Sequence, residues 1–271
     1  MPCSKGGAFM TSDPAVPVAD QAFEPLFPQK EPDDQSSYAY RQLIGILGLL
    51  FPFVILLIAH WRPTPVLKRF GILPSVSAYY YTGSVAVFVG ILVALGLFLL
   101  TYEGYKNDYG RRDRIASRIA GWAAIFVAFF PTAAPDATLA PFWWRPATGA
   151  IHFSAAAVLF CSFAYISLFL FTKTKQAKGT PQPTEKRVRN SIYIFCGVVM
   201  VGCIAWAGIS SYRDSDTRIF LPEAIALEAF ALSWLTKGRA ERTIAGVAKR
   251  AWYYGRNPMK AAGKVWSAIR G

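Results

Sequence analysis

The chain has 271 residues, of which 54% are hydrophobic, 15% aromatic and only 17% charged, with a formal net charge of +13. Soluble domains carry about 25% charged residues, so this balance argues against an ordinary water-soluble enzyme. The concentrated apolar blocks likewise exclude a disordered chain, a collagen and a coiled-coil fibre, and four cysteines in this length make no disulfide scaffold.

Residues 1–40 hold six acids and five prolines ahead of Glu31. They lack the apolar core of a signal peptide and are expected to form a disordered acidic tail in the cytoplasm. Six apolar blocks follow, each close to the roughly 20 residues that cross ~30 Å of hydrocarbon. The expected spans are about 42–60, 79–102, 117–134, 148–172, 190–212 and 219–236. The first is uncharged from Leu43 to Ala59 and stops at His60, Trp61 and Arg62. The second is uncharged from Tyr79 to Tyr102, and the third runs from Arg118 through Trp122 to Pro131. The fourth, Ala147 to Thr172, contains one ionisable group, His152, and its Ser154–Ala157 run reads as a small-residue packing surface. Asn190 to Tyr212 is the fifth, while the sixth, Ile219 to Thr236, carries Glu223 and Glu228. Backbone groups in lipid must be satisfied within their own segment, which calls for helices, and the strict alternation of a β-barrel is absent. The expected fold is all-α, a polytopic membrane protein built as a bundle of six transmembrane helices.

Lys and Arg set the orientation. The two tails with the second and fourth loops carry 23 of them, against six in the first, third and fifth loops. Both termini are therefore expected in the cytoplasm, with the protein in a plasma membrane, a bacterial inner membrane by this reading. Lys173 to Arg189 reads as a flexible linker. Beyond the sixth span, 237–271 is expected to be a basic amphipathic tail. There Ile244, Val247, Ala248, Ala251 and Trp252 form one stripe and Met259, Ala262, Trp266 and Ile269 another. Such helices lie on the membrane surface against anionic headgroups. Nucleic acid is not an expected partner, because the charge sits where the positive-inside rule requires it and no recognition module is visible. A homo- or hetero-oligomer within the membrane stays open.

This topology brings His60, Tyr80, Tyr81, Ser84, His152 and Glu223 to the outer face, where they form a candidate ligand pocket. The cytoplasmic half, by contrast, is expected to be almost purely apolar. Intramembrane ionisable groups are costly and usually face a wet cavity or one another. Glu223 can reach Arg218 or His152, whereas Glu228, about 140° further round the helix, lies near mid-membrane and needs a partner of its own. No metal or other cofactor is expected, since the chain has two His and neither an HxxxH nor a CxxC pair. A nucleophile such as Ser84 beside His152 is conceivable, yet no G-x-S-x-G elbow exists and no catalytic residue is assigned.

The runs Ser75–Ser84 (SVSAYYYTGS), Val87–Gly90 (VFVG), Ala128–Thr132 (AFFPT), Ile151–Ala156 (IHFSAA) and Ser233–Gly238 (SWLTKG), with Tyr102 and Tyr105, resemble a group of uncharacterised bacterial multi-span membrane proteins. More distantly the layout is similar to Frag/DRAM/Sfk-type six-helix proteins. The likeness covers about Leu43 to Gly238. It implies a six-helix layout and an association with membrane lipid organisation, and no reaction. The leading expectation is a non-enzymatic lipid- or amphiphile-binding or envelope-organising protein. A membrane-embedded lipid hydrolase or transferase is the first alternative, and a small transporter or channel coupled through Glu228 is the second.

Overall fold

The computed structural model describes residues 38–61, 63–104, 110–173, 184–213, 218–242, 244–246 and 252. Nearly all of the acidic tail lies outside the described residues, as do Val247, Ala248, Ala251 and the stripe beyond Trp252. The chain divides into one unit, Phe27–Glu241, and a second formed by Met1–Leu26 with Arg242–Gly271. The described residues of the second unit are helical, and Ile244 and Trp252 among them are exposed.

Regular structure in the described residues of the first unit is entirely helical. Its helices are α1 (Tyr38–Trp61), the short α2 (Pro65–Phe70), α3 (Val85–Leu100), α4 (Gly110–Phe129), α5 (Pro146–Tyr165), α6 (Thr184–Arg213) and α7 (Phe220–Lys237). A π-helical turn, Ile166–Leu170, continues α5, and 3₁₀ turns cover Ser77–Tyr81 and Ala137–Leu139. Three helices are long and apolar enough to cross a membrane, namely α1, α5 with its continuation, and α6. α3 is apolar but only 16 residues long. Four arginines and Asp113 crowd the first half of α4, and α7 carries Glu223, Glu228 and Lys237. The apolar block that begins at Tyr79 does not start as α-helix. There the Thr82 hydroxyl donates to the Tyr79 carbonyl at 2.8 Å and meets the Ser84 hydroxyl at 2.7 Å. Such side-chain bonds offer the backbone a turn in place of helix, and α3 begins only at Val85.

The long helices pack in chain order and close on themselves, with α7 lying against both α6 and α1. Their contacts pair beginnings with ends. Gly45 lies against Leu235 and Gly48 against Phe230, Tyr40 meets Phe98 while Phe51 meets Phe88, and Ser167 donates to the Tyr193 carbonyl. Neighbours are therefore antiparallel, giving a tail end around Arg41, Tyr102, Asp113, Tyr193 and Lys237 and a loop end around His60, Tyr79, Phe130, His152 and Ile219. The tightest crossing joins α3 to α4, where a Cβ on Gly121 would stand 2.8 Å from the Gly96 carbonyl oxygen and 3.0 Å from the Leu100 nitrogen. Only hydrogen at both positions lets the backbones come this close.

The tail-end half is not the purely apolar region expected from the sequence. Arg41, Gln42, Asp113, Ser117, Ser167 and Lys237 are buried there. The Arg41 guanidinium donates to the Tyr102 hydroxyl at 3.4 Å and lies over the Tyr38 and Tyr102 rings. Lys237 lies over Phe171 and Tyr193, and the Gln42 amide donates to the Gly238 carbonyl at 2.7 Å. The charged ones, Arg41, Asp113 and Lys237, flank apolar runs, so counting charges places them in loops. Apart from Tyr38 on α1 itself, the aromatic faces that receive the cations come from distant segments and leave no local signal.

Candidate functional site

α4 ends at Phe129, and the three carbonyls that follow are each taken by a side chain from a different segment. The ring nitrogen Nδ1 of His152 on α5 bonds the Phe130 carbonyl at 2.6 Å. Only a ring N–H can meet a carbonyl, so His152 is the donor there. Trp144 donates its indole N–H to the Pro131 carbonyl at 3.2 Å, and the Tyr81 hydroxyl donates to the Thr132 carbonyl at 2.6 Å. A helix end leaves its last carbonyls unpaired, and these three donors satisfy the chain as it leaves α4. Trp144 was not among the expected site residues; an indole N–H just ahead of an apolar block was the available signal.

Glu223 plays the complementary part for backbone donors. Its carboxylate accepts the Val76 N–H at 2.6 Å and also the Ser77 N–H, so it caps the 3₁₀ turn Ser77–Tyr81 from another element. The Pro74 carbonyl reciprocates by accepting the Ile219 and Phe220 N–H groups, both at 2.7 Å. The beginning of α7 and the segment before α3 are thus held from both directions.

The other expected residues are also engaged locally. Exposed His60 bonds through Nδ1 to the Leu56 carbonyl, closing the last turn of α1. Ser84 is fully buried and bonded to Thr82 and Tyr79. The Tyr80 ring packs edge-on against Tyr81 and Phe88. The structure thus brings the six residues to the loop end, but among the described residues no hydrogen bond joins one of them to another. The cavity beside Glu223, lined also by Phe51, Val76, Phe88, Leu159 and Leu227, has a volume of about 30 Å³. That is room for about one water molecule. Outside it, Asp136 receives the Thr138 backbone N–H and hydroxyl and lies 3.6 Å from Arg69. Those two bonds from Thr138, with Arg69 behind them, hold its carboxyl below the ordinary range.

Glu228 stands apart. It is half-buried at mid-helix, between exposed Ile225 and Leu232, and among the described residues its Oε1 has no hydrogen-bond partner. The described residues hold no group of three or more His, Cys, Asp or Glu placed to bind a metal. Deeper in, Phe163 and Phe230 stack with centroids 3.8 Å apart, and Trp234 meets Tyr102 and Phe171 edge-on, filling the tail-end interior.

Larger spaces than the cavity beside Glu223 lie on the outside, between α4 and α5. Two adjoining hollows of about 440 and 580 Å³ share Ile119 and Val158 and so form one open groove. Its walls include Ile115, Trp122, Phe126 and Ile151, and small residues such as Ala116, Ala123, Ser154 and Ala155 keep its floor low. Ser154 and Ala157, expected to pack against a neighbouring helix, are exposed. The chain matches no family model, no curated protein and no solved structure.

Proposed function

We propose that the chain crosses a plasma membrane six times with both termini in the cytoplasm, and that it acts there as a non-enzymatic lipid-binding protein. Several features support the six crossings. The outward faces of the long helices are apolar, as with Leu50, Phe53 and Leu57 on α1, Trp122 and Phe126 on α4, and Phe195 and Val198 on α6. The α4 arginines are exposed at the tail end, where long basic side chains can reach up to headgroups. Exposed Trp61, Phe142, Trp143 and Tyr212 stand at the loop end, where an aromatic belt meets the opposite interface.

The α4–α5 groove carries the lipid-binding reading, because it is of ligand size, apolar and open along the outer surface of the helices. The outer rim offers a lipid no comparable space beside Glu223. A hydrolase would need His152 and Glu223 free to act on a substrate, whereas both hold backbone groups in place. A transport path past Glu228 would have to breach the stacked Phe163 and Phe230 and the Trp234 ring packed against them.

Native mass spectrometry of the full chain, extracted from its host membrane in a mild detergent, tests the reading. The expected result is a population carrying a lipid mass that survives mild activation. A chain that emerges bare, under conditions where another helical membrane protein keeps its lipid, would overturn it.

A further inference from the structure

The groove is mostly apolar along its length, with the neutral hydroxyls of Ser154, Ser162 and Tyr165 among its lining, and carries a charge at one end only. Arg112 lines the tail end of the hollow, and Ile115, Ile119, Trp122 and Phe126 follow it along one exposed stripe of α4. Arg111, Arg114 and Arg118 are exposed on the same two turns. From Arg112 to Phe126 the helix advances about 21 Å, more than the ~15 Å of hydrocarbon in one leaflet. The groove therefore matches a molecule with one anionic head and one long apolar tail that enters from the tail-end interface.

We propose that this groove is the seat of one anionic phospholipid of the cytoplasmic leaflet, its phosphate on the Arg112 guanidinium and one acyl chain along Ile119, Val158 and Ile151. The proposal rests on the lipid-binding reading and its orientation, and adds the place and the headgroup chemistry. Guanidinium groups bind phosphate through paired N–H donors. A zwitterionic lipid offers the same phosphate, but its cationic group would approach three further arginines. A headgroup with a net negative charge avoids that repulsion and gains their field, so the site discriminates by net charge. A basic residue near an anionic surface contributes about 1 kcal/mol, which corresponds to about fivefold in occupancy.

The test uses the full chain delipidated and re-equilibrated with equimolar phosphatidylglycerol and phosphatidylcholine of identical acyl chains, with bound lipid read by native mass spectrometry. The wild-type chain is expected to retain phosphatidylglycerol at least about fivefold over phosphatidylcholine. Arg112→Gln should reduce that preference about fivefold while leaving acyl occupancy in place. Ser154→Trp, which fills the groove from an exposed position, should abolish retention of both lipids. Val201→Trp, on the exposed face of α6, should change nothing, and all three variants should keep the wild-type gel-filtration profile. Retention that persists in Ser154→Trp, or a lipid preference untouched by Arg112→Gln, overturns the proposed seat and leaves the broader lipid-binding reading standing. Retention of neither lipid by the wild-type chain overturns both.

Discussion

Gly121→Val is expected to be among the most damaging single substitutions in the helical unit. The new Cβ would stand 2.8 Å from the Gly96 carbonyl oxygen and 3.0 Å from the Leu100 nitrogen. These are backbone atoms inside a helix, so no side-chain rotation relieves the clash, and α3 and α4 must separate along their length. Overpacking of this kind costs about 3 kcal/mol, or a melting point roughly 6–12 °C lower for a domain of this size. Gly90 provides the control, since nothing lies within 4 Å of its added Cβ. Gly90→Ala is expected to be neutral or to stabilise by about 0.5–1 kcal/mol. Cys196 and Cys203 are buried and free while Cys161 is exposed, so in a background with Cys3 and Cys161 replaced by Ser a thiol-reactive fluorophore reads both transitions. Equal melting points for the two variants would show that the α3–α4 crossing is looser than described.

The second large effect is expected at Glu223. Glu223→Ala leaves the Val76 and Ser77 N–H groups without their acceptor. An orphaned buried donor costs about 1–3 kcal/mol; Val76 is buried and Ser77 half-buried, so a loss of about 2–4 kcal/mol follows, with earlier proteolytic nicking of residues 63–84. Glu223→Gln keeps one amide oxygen as acceptor and should lose about half as much. That graded response distinguishes a capping carboxylate from a catalytic one. An acid–base catalyst would lose its chemistry in both variants at unchanged melting temperature, and that pattern would contradict the role assigned here.

Much of the architecture was legible because lipid and helix impose the same requirement on sequence, long uncharged runs bounded by charge. The helical character of the described unit follows from those runs, and α1, α5 and α6 are readable by length and apolarity alone. Which face points inward was far less legible. In α6 the buried stripe Tyr193, Cys196, Gly197, Met200 and Cys203 is no more apolar than exposed Ile194, Phe195, Val198 and Val201. When the surrounding solvent is itself apolar, hydrophobic periodicity loses its contrast.

Glycines show the same limit. Gly121 and Gly96 sit at a backbone crossing while Gly90 and Gly202 face open space, and nothing in their local sequence separates the two kinds.

The candidate site was legible in place but not in role. Its six residues do sit at one end, because helix ends collect polar groups. Their partners are backbone carbonyls and N–H groups from distant segments, as with His152 and Phe130 or Glu223 and Val76, and backbone groups leave no compositional mark. The same blindness hid the buried Arg41 and Lys237, whose partners include aromatic rings from distant segments, Tyr102 and Tyr193. The α4–α5 groove was hidden for a related reason. It is made by small residues at positions that read equally well as a packing surface, and only the placement of α5 against α4 shows Ser154 to be exposed.

The six crossings with cytoplasmic termini are the claim on which the lipid seat and its leaflet both depend. Cysteine accessibility in intact cells tests it most directly, using single cysteines at Phe142, Tyr212, Lys173 and Glu241 in a chain whose four native cysteines are replaced by Ser. A membrane-impermeant maleimide is expected to label Phe142→Cys and Tyr212→Cys from outside, and to reach Lys173→Cys and Glu241→Cys only after lysis. Labelling of Lys173→Cys or Glu241→Cys in unbroken cells, or protection of Phe142→Cys, would contradict the account.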